Sequence, residues 1–534
     1  MERTGRLRLF VPSLVGISLG WADANASSMP ETPKLTPTNH SALPVHSSTV
    51  TASSHDAIQI KLIALSDLHG HLLALEPPHF RRYFGGIANI AGFWKDREHA
   101  SKEDTILVDN GDMWTGPTES TLLHGAPVIE AYNTLGFSAA NLANHEFDFG
   151  VDILRTRAHE AHFPFLGANI VDRKSGQPPD FVRPFTIVTR RNIRVGLVGL
   201  CYIDTPRTTK KRYIEQLEFR AYEPTLRRVV PQARSEGAEI IVVLLHDDLA
   251  TARRLVEKTR DLELAAVVAG QEHQKGQVVV HGIPIVNPGP FGRSYVRFDL
   301  RIDPQNHQLR SIDHEIVDVA GDVGAPPFVP VPALTAVAED ARQKVRTLSE
   351  ETLGQLAQPL EPGTFEHSPL GHFIVDTWLS EFGDADFALL NHGALRDTLP
   401  SGEVSLGDLM NVAPFENNLM IVRLTGAQLK QQLAIDHPVV GGLTWTFSER
   451  RGKRVVRTVV NRRGRKLDAR RAYRVVILDF MYTGGDGFTF QKMDPDPVDT
   501  GVSWRQPIVR AFRAAADRNQ TLSVSTRARA RHVE

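Results

Sequence analysis

Side chains able to bind metal ions are clustered along the first half of this chain. Asp67 and His69 lie two positions apart, so both face the same way on an extended strand end. The other candidates in this half are Asp112, Asn144, His145, Asp148, His246 and His273. Carboxylates, an amide oxygen and imidazoles, with no thiolate nearby, suit Mn, Zn, Fe, Co or Mg better than a structural cysteine site. Each short motif is common by chance, and it is their joint occurrence that predicts a metal centre.

Asp112 is the candidate for a ligand shared by two ions. A dinuclear hydrolytic centre holds its ions about 3.5–4 Å apart, and a carboxylate, unlike a neutral imidazole, has two oxygens with which to bridge them. Such a pair of ions lowers the pKa of water and stabilises an in-line displacement at phosphorus. The leaving oxygen also needs a proton donor, and a histidine oriented by an aspartate suits that task. His145 and Asp148 fit this description.

Apolar segments precede these residues and are expected to position them. The predicted strands of this half are Ile58–Leu65, Thr105–Val108, Ala139–Leu142, Ile193–Leu200, Glu239–Leu245 and Leu264–Val268. The predicted helices between them are Gly85–Arg97, Val128–Leu135, Thr225–Ser235 and Thr251–Thr259. Alternating strands and helices indicate an α/β fold. Ligands of open α/β sheets gather at the carboxyl ends of strands, so five strand ends are expected to meet in one crevice.

A second α/β region follows a proline-rich break at residues 326–332. Ala333–Leu353 is predicted to be an interdomain helix. Beyond it, the predicted helices are His372–Phe382, Leu406–Val412 and Gly426–Ala434. The predicted strands are Ala388–Leu390, Leu419–Leu424 and Tyr473–Phe480. Polar or glycine-rich turns follow two of these strands, which again indicates a site at strand ends.

Length and composition bound the class of protein. The chain has 534 residues, too many for one ordinary core, with 41% hydrophobic and 23% charged residues as in typical globular proteins. A formal net charge of −1 indicates neither a surface for nucleic-acid polymers nor a polybasic membrane patch. No obligate protein partner is indicated. The single cysteine, Cys201, excludes an intrachain disulfide and is expected to be buried and unreactive.

The N-terminus has the pattern of a secretory signal peptide. Residues 1–8 carry three arginines, residues 9–21 are mostly apolar, and Ala22-Asp23-Ala24 fits a cleavage site. An uncleaved anchor or an N-terminal helix of the fold is the alternative, but the apolar run is shorter than the roughly 20 residues that span a bilayer. The predicted location is therefore periplasmic or secreted, and a single cysteine suits a periplasm. Residues 25–57 are expected to form a disordered linker, and no later stretch predicts a membrane span.

In combination, the motifs resemble a known family. Those similar to the calcineurin-like metallophosphoesterases are Asp67-x-His69, Gly111-Asp112, Asn144-His145-Glu146-Phe147-Asp148, His246 and Gly270-x-x-His273. Those similar to the C-terminal domain of the 5′-nucleotidase family are Asn391-x-Gly393-x-x-Arg396, Pro414-Phe415-x-Asn417, Leu424-Thr425-Gly426 and Gly484-Gly485-Asp486-Gly487-Phe488. The resemblance extends from residue 58 to about residue 515. The family includes 5′-nucleotidase/UDP-sugar hydrolases and 2′,3′-cyclic-nucleotide phosphodiesterases.

The resemblance implies a fold and a set of roles. The fold is a four-layer α/β/β/α metallophosphoesterase domain followed by a smaller α/β domain that recognises the substrate. Two divalent ions (Mn, Zn, Co or Mg) are implied, one held by Asp67, His69, Asp112 and His273, the other by Asp112, Asn144, His246 and Gln271. The implied catalytic pair is His145 with Asp148. In the smaller domain, the implied substrate-binding residues are Asn391 and Arg396 for phosphate and sugar, Phe415 and Phe480 for the base, and Asp486 for ribose.

Three positions depart from the family pattern. Gln271 stands where the family usually has histidine, so the second ion is expected to bind less tightly or to be Mn or Mg rather than Zn; Glu272 beside it is an extra carboxylate. Ala143 stands where glycine is usual, which would be strained if the main chain there required a positive φ. An arginine usual before the first C-terminal helix is replaced by the segment 365–369.

The predicted activity is metal-dependent hydrolysis of phosphate esters, above all 5′-nucleotides, with nucleotide sugars or 2′,3′-cyclic nucleotides as related small-molecule substrates. The alternatives are a thiosulfohydrolase-like or other non-nucleotide hydrolase on the same scaffold, or a catalytically weakened nucleotide-binding protein. The predicted division of the chain is a signal peptide at 1–24, a linker at 25–57, a metallophosphoesterase domain at 58–325, a linker and helix at 326–355, a 5′-nucleotidase-type domain at 356–520 and a tail at 521–534.

Overall fold

The structure is a computed structural model that describes residues 57–74, 82–322, 329–450, 452–525 and 527–533. The predicted signal peptide and all but the last residue of the predicted linker lie outside the described residues.

The first half of the chain alternates strands and helices. Its strands are β1 (Ile58–Leu65), β2 (Arg82–Phe84), β3 (Thr105–Asp109), β4 (Ala139–Asn141), β5 (Phe165–Leu166), β6 (Ile170–Asp172), β7 (Phe185–Arg190), β8 (Ile193–Leu200), β9 (Leu217–Phe219), β10 (Ile240–Leu245), β11 (Ala266–Val268), β12 (Gly276–Val280), β13 (Ile283–Asn287), β14 (Ser294–Ile302), β15 (Leu309–Asp318) and β16 (Ala320–Asp322). Its helices are α1 (Ile87–Asp96), α2 (Thr118–Leu122), α3 (Ala126–Leu135), α4 (Val151–Glu160), α5 (Thr205–Thr208), α6 (Lys211–Ile214), α7 (Tyr222–Ser235) and α8 (Leu249–Lys258), and α9 (Pro332–Ser349) follows them.

Two six-stranded sheets form the centre of this half. Their strand orders are β15-β14-β1-β3-β4-β5 and β12-β13-β11-β10-β8-β7. One buried cluster, which includes Leu62 of β1 and Val242 of β10, fills the space between the sheets. Two further clusters join each outer face to helices, α1, α3 and α4 on one side and α7 and α8 on the other. The arrangement is the predicted four-layer α/β/β/α fold.

The parallel strands at the centre of each sheet point toward one edge. β1, β3 and β4 are parallel neighbours in the first sheet, and β8, β10, β11 and β13 are parallel neighbours in the second. Strands buried on both faces need apolar side chains at every position, and β3 and β10 are buried throughout. The polar residues that follow β1, β3, β4, β10 and β11 are thereby brought to the same edge, as the sequence predicts.

The second half forms a smaller α/β unit. Its strands are β17 (Thr352–Leu356), β18 (Phe387–Asn391), β19 (Gly402–Ser405), β20 (Asn418–Thr425), β21 (Pro438–Gly441), β22 (Leu443–Arg450), β23 (Lys453–Asn461), β24 (Ala472–Leu478), β25 (Val498–Ser503) and β26 (Ala530–His532). Its helices are α10 (Pro369–Glu381), α11 (Leu406–Val412), α12 (Gly426–Leu433), α13 (Asp479–Tyr482), α14 (Phe490–Met493) and α15 (Gln506–Ala516). A five-stranded sheet in the order β21-β18-β24-β20-β25 carries the main core, with β18 and β24 parallel.

Several predicted elements are confirmed from end to end, among them β1, β8 and α11. The prediction of a strand over Tyr473–Phe480 is wrong at its end, because β24 stops at Leu478 and Asp479 begins α13 with its carboxylate accepting from the Phe480 N–H at 2.8 Å. The predicted helix Ala333–Leu353 ends at Ser349, and Leu353 is instead buried in the second core as part of β17.

Three further predictions concern the C-terminal tail, the single cysteine and membrane spans. The predicted C-terminal tail includes β26, which pairs with β22. Cys201 is buried as expected, and burial raises the pKa of its thiol, so it is unreactive. None of the helices formed by the described residues has both the length and the apolar character needed to cross a bilayer.

Candidate active site

Four predicted ligands meet where β1, β3 and β11 end. The ligand atoms of Asp67, His69, Asp112 and His273 all lie within 4.8 Å of one another. His69 Nδ1 donates to the carbonyl oxygen of Thr115 at 2.7 Å, so its Nε2 presents a lone pair, 3.0 Å from His273 Nε2. Two imidazole nitrogens and two carboxylates that converge in this way form a group that could hold a divalent cation.

A second set of predicted ligands lies against the first and shares Asp112. His246 Nδ1 donates to the carbonyl oxygen of Asn110 at 2.8 Å, and its Nε2 lies 3.1 Å from Asp112 Oδ2. The amide oxygens Oδ1 of Asn144 and Oε1 of Gln271 are buried and have no hydrogen-bond partner in the protein. A buried polar oxygen without a partner is unfavourable unless a ligand satisfies it. These two oxygens therefore fit a cation that both residues would coordinate.

The electrostatics of the cluster also fit a cation. Burial raises the pKa of Asp112, but the neighbouring histidines, His246 above all, outweigh it and hold the pKa well below its usual range. Burial lowers the pKa of His246, yet Asp112 and Asp67 together raise it to about 10. In the absence of metal, the protonated His246 thus supplies the positive charge that stabilises the two buried carboxylates. Metal binding would displace that proton.

Five residues in this cluster have left-handed main-chain conformations, which are uncommon away from glycine. The residues and their φ angles are Asp67 (54°), His69 (48°), Asp112 (56°), Gln271 (71°) and His273 (55°). Main-chain bonds between the loops hold these conformations, for example from His69 N to Asp112 O at 2.9 Å and from Asp67 N to Gly111 O at 2.9 Å. Backbone strain of this kind is concentrated at functional sites.

The predicted catalytic pair is close in space. His145 Nδ1 lies 2.7 Å from Asp148 Oδ2, so this nitrogen donates to the carboxylate and Nε2 is left for a ligand. The His145 main-chain N–H donates to Asp112 Oδ1 at 3.0 Å, which fixes the pair beside the metal-ligand cluster. Burial lowers the pKa of His145, but Asp148 and Asp112 outweigh burial and raise it. A protonated imidazole is therefore favoured here.

The smaller unit supplies the other wall of the same pocket. Arg396 Nη2 lies 3.5 Å from His69 Nε2, and its guanidinium lies over the Phe415 ring at 5.8 Å. The Phe415 ring is stacked on His145 with centroids 5.7 Å apart. Asn391 Nδ2 donates to Asp486 Oδ2 at 2.7 Å, and Asn391 Oδ1 is buried without a partner.

All five predicted substrate residues line this pocket, together with His145, Asp148, Asn144 and Gln271. Phe480 lies on α13, and its ring fills the place where a side chain on Gly485 would be, with a Cβ there only 2.4 Å from the ring. Gly485 therefore allows the ring to line the pocket. Burial raises the pKa of Asp486 to about 6, with the nearby Asp436 adding to the effect.

Some contributors were not predicted. The carbonyl groups of Thr115 and Asn110 fix the tautomers of two histidines, and main-chain groups leave no trace in sequence patterns. Lys210, Thr208 and Glu416 line the pocket as well. Lys210 and Thr208 belong to a segment without a recognisable motif, whereas Glu416 lies inside the Pro414–Asn417 motif, which could have identified it.

The structure also explains two departures from the family pattern. Ala143 does not adopt a positive φ, and its Cβ occupies the space beside Gly111, where a second Cβ would lie 2.7 Å away. Alanine is therefore unstrained at this position. Glu272 is exposed, and partial desolvation together with the nearby Asp248 and Asp247 carboxylates raises its pKa. It faces solvent rather than the ligand cluster.

Comparison with known proteins agrees with this geometry. Residues 348–493 match the family of 5′-nucleotidase C-terminal domains. The chain is 23% identical to the protein UshA of Yersinia enterocolitica over 496 residues, which is 83% of this chain and 88% of UshA.

Solved structures share the fold over most of the chain. A 5′-nucleotidase precursor from Thermus thermophilus has a TM-score of 0.78 at 21% identity and covers 89% of this chain and 100% of its own. The sulfate thiohydrolase SoxB of the same organism has a TM-score of 0.71 at 19% identity and covers 89% of this chain and 96% of its own. The resemblance indicated by the motifs is confirmed: residues 348–493 match the 5′-nucleotidase C-terminal domain, and the chain is similar over most of its length to UshA and to a 5′-nucleotidase precursor.

Proposed function

We propose that this protein is a metal-dependent phosphoesterase that hydrolyses 5′-nucleotides. The observation that carries the proposal is a single pocket lined both by residues of the ligand cluster and by two phenylalanines with Asp486. Base stacking on aromatic rings contributes about 1–3 kcal/mol per base. A phosphate ester that lacks a base would gain no binding energy from these two rings. The similarity to a 5′-nucleotidase precursor from Thermus thermophilus supports the same conclusion.

Two divalent ions fit the residues present. One would be held by Asp67, His69, Asp112 and His273, the other by Asp112, Asn144, His246 and Gln271. When bound, such ions supply Lewis-acid polarisation of the phosphoryl group and lower the pKa of water that acts as nucleophile. Because Gln271 offers a neutral amide oxygen in place of imidazole, an oxygen-preferring ion such as Mn or Mg suits the second site better than Zn.

His145 protonates the leaving oxygen in this proposal. Its Nδ1–H donates to Asp148, so the aspartate fixes the orientation of the ring and stabilises the imidazolium. The raised pKa of His145 favours the form with a proton on Nε2, and His145 lines the pocket. After transfer to the leaving oxygen, the neutral imidazole is restored to the protonated form from solvent.

Residues of the smaller unit bind the substrate. The Arg396 guanidinium, beside His69, is placed to bind phosphate oxygens through its planar N–H donors. Phe415 and Phe480 are proposed to stack on the two faces of the base. Asp486, held by Asn391, is proposed to accept hydrogen bonds from the ribose hydroxyls.

The same site leaves room for related substrates. Nucleotide sugars contain the same base and ribose, so the same residues would bind them. In 2′,3′-cyclic nucleotides the phosphate esterifies the 2′ and 3′ hydroxyls, so Phe415 and Phe480 would still stack on the base but Asp486 would have no such hydroxyl to accept from. A thiosulfohydrolase activity remains the alternative, since the SoxB fold is similar, but it would give Phe415 and Phe480 no ligand to stack on. A protein that only binds nucleotides would not need the proton donor that the His145–Asp148 pair provides.

Location, partners and domain limits are part of the proposal. The N-terminal pattern supports export to the periplasm or the medium. The proposed substrate is a small molecule, and neither a nucleic-acid polymer nor a protein partner is part of the proposal. The proposed domain limits are 58–325 for the metallophosphoesterase domain and 356–520 for the substrate domain, with the connecting helix between them. Contacts such as the hydrogen bond from Thr118 N to Asn411 Oδ1 at 2.7 Å join the two.

Replacing Phe415 with alanine tests the proposal. Loss of one stacking surface is expected to raise KM for AMP about tenfold or more, and to raise KM for a small aryl phosphate far less. Steady-state kinetics with both substrates measure the two changes. Phe382→Ala is the control, because Phe382 is a partly buried phenylalanine of the smaller unit that does not line the pocket. Equal changes in both KM values for Phe415→Ala would argue against base recognition.

A further inference from the structure

Lys210 brings an ammonium group into the pocket from the first half of the chain. It lies between α5 and α6, on the segment that follows β8. The adjacent Thr209 is buried, and its hydroxyl donates to the carbonyl oxygen of Asn144 at 3.0 Å. The main chain at Lys210 is therefore anchored to the loop that carries Asn144 and His145.

The Lys210 ammonium lacks a hydrogen-bond acceptor among the described residues, although its nitrogen is buried. Asp479 Oδ2 lies 3.6 Å from Nζ, which is too long for a charge-assisted hydrogen bond. Burial also lowers the pKa of Lys210, although the charge of Asp479 opposes that effect. Among the described residues the ammonium forms an ion pair with Asp479 and lies 5.9 Å from the centre of the Tyr213 ring, so its buried N–H donors are incompletely satisfied and an acceptor on a ligand would satisfy them.

The neighbours of Lys210 belong to the aromatic end of the pocket. Asp479 directly precedes Phe480, one of the rings proposed to stack on the base, and Lys210 and Phe480 line the same pocket. Glu416, which follows Phe415, also lines the pocket and is near enough to raise the pKa of Lys210. The metal-ligand end has its own cation, Arg396, beside His69. A ligand atom next to Lys210 therefore belongs to the base rather than to the reacting phosphate.

We propose that Lys210 determines base specificity by donating a hydrogen bond to an acceptor on the edge of the base, an inference that rests on the proposed function. Guanine and uracil present a carbonyl acceptor beside an N–H donor. The carbonyl would accept from the Lys210 ammonium, and the N–H would donate to the nearby Glu416 carboxylate. Adenine and cytosine present an amino donor in place of that carbonyl. Lys210 therefore favours nucleotides with oxo bases over those with amino bases.

Equilibrium binding of guanosine and adenosine to the metal-free full chain tests the inference without depending on turnover. Lys210→Met is expected to weaken guanosine binding about tenfold, or about 1.4 kcal/mol, and adenosine binding less than about twofold. Isothermal titration calorimetry measures both. Lys211→Met is the matched control, because Lys211 is the next residue but is exposed. It is expected to leave both affinities unchanged.

The outcomes separate this inference from the proposed function. Equal weakening of both nucleosides, or no weakening, overturns the inference, and the same holds if the wild-type chain shows no preference for guanosine. Selective loss of guanosine binding in a chain that releases no phosphate from GMP with any metal would leave the inference standing and reject the proposed function. If Lys210→Met lowers the unfolding temperature, Lys210→Gln provides the same comparison with a polar side chain.

Discussion

At the scale of single residues, the types of the ligands were predictable and their conformations were not. Carboxylates, imidazoles and Asn144 were recognisable because their chemistry and order are restrictive, and the structure brings them together. Gln271 could be placed only through the family resemblance, since a lone glutamine carries no signal. Lys210 could not be placed at all, because a lysine in a polar segment looks like any solvated side chain.

His145→Ala is expected to lower kcat by a factor of about 10²–10⁴, the usual contribution of general acid catalysis. Metal content is expected to stay normal, because alanine keeps the main-chain N–H that donates to Asp112 Oδ1 at 3.0 Å. Metal analysis alongside steady-state kinetics checks both statements. Asp148→Asn, which removes the negative charge that stabilises the imidazolium but leaves His145 in place, is expected to lower kcat by a smaller factor. Loss of metal together with activity in His145→Ala would contradict the assigned role.

The pH dependence of nucleotide binding is expected to report on Asp486. Because burial raises its pKa to about 6, the carboxylate becomes protonated as the pH falls through about 6 and loses its capacity to accept from ribose. KM for AMP is therefore expected to rise below about pH 6. Asp486→Asn should have a raised KM at neutral pH and should lack this step. The phosphate group of AMP also titrates, but it does so with both proteins. The difference between the KM profiles of the wild type and Asp486→Asn therefore reports on Asp486 alone.

The same shift has a consequence for stability. A carboxyl whose pKa is higher in the folded chain than in the unfolded chain favours folding at low pH, and that contribution is lost as the pH rises from about 4 to about 6. Asp486→Asn is therefore expected to be at least as stable as the wild type at pH 7. A less stable variant at pH 7 would show that the carboxylate is satisfied in the folded chain.

At the scale of elements, alternation of strands and helices predicted which segments form the centre of the fold. The interior parallel strands were predictable because burial on both faces demands continuous apolar residues, as in β8 and β10. The hairpin of β14 and β15 was missed, since its half-exposed second strand is mostly polar. The start of α13 was missed because the strand ends where the Asp479 carboxylate accepts a local hydrogen bond from the Phe480 N–H.

The loops after β1 and β3 form a unit whose close packing can be tested. Gly116 lies against the main chain of His69, where an added Cβ would be 2.1 Å from the carbonyl oxygen. Gly116→Ala is therefore expected to displace the His69 loop and to reduce the free energy of unfolding by about 1–3 kcal/mol. Metal affinity should fall with it. Urea denaturation and metal titration measure the two effects.

Gly383 provides the control for this substitution. It is exposed and has no atom within 4 Å of an added Cβ, so Gly383→Ala is expected to leave stability and metal affinity close to those of the wild type. Similar behaviour of the two variants would show that the contact at Gly116 does not constrain the ligand loop.

At the scale of the whole molecule, the pocket depends on both halves of the chain. Asn144, His145 and Lys210 come from one half, and Arg396 and Phe415 from the other. Sequence motifs predicted the two folds and most of these residues. They did not predict how the halves meet, because contacts such as Arg396 with His69, or Lys210 with Asp479, join residues that are more than 200 positions apart.

Phosphate release by the full chain after chelation and re-addition of metal tests the central claim most directly. The substrates are AMP, UDP-glucose, 2′,3′-cyclic AMP and a small aryl phosphate, each with Mn, Zn, Co or Mg restored separately. The proposed function predicts that chelation abolishes turnover of AMP and that at least one ion restores it, with Mn or Mg favoured by the oxygen of Gln271. A folded chain that binds metal but releases no phosphate from any nucleotide would contradict it.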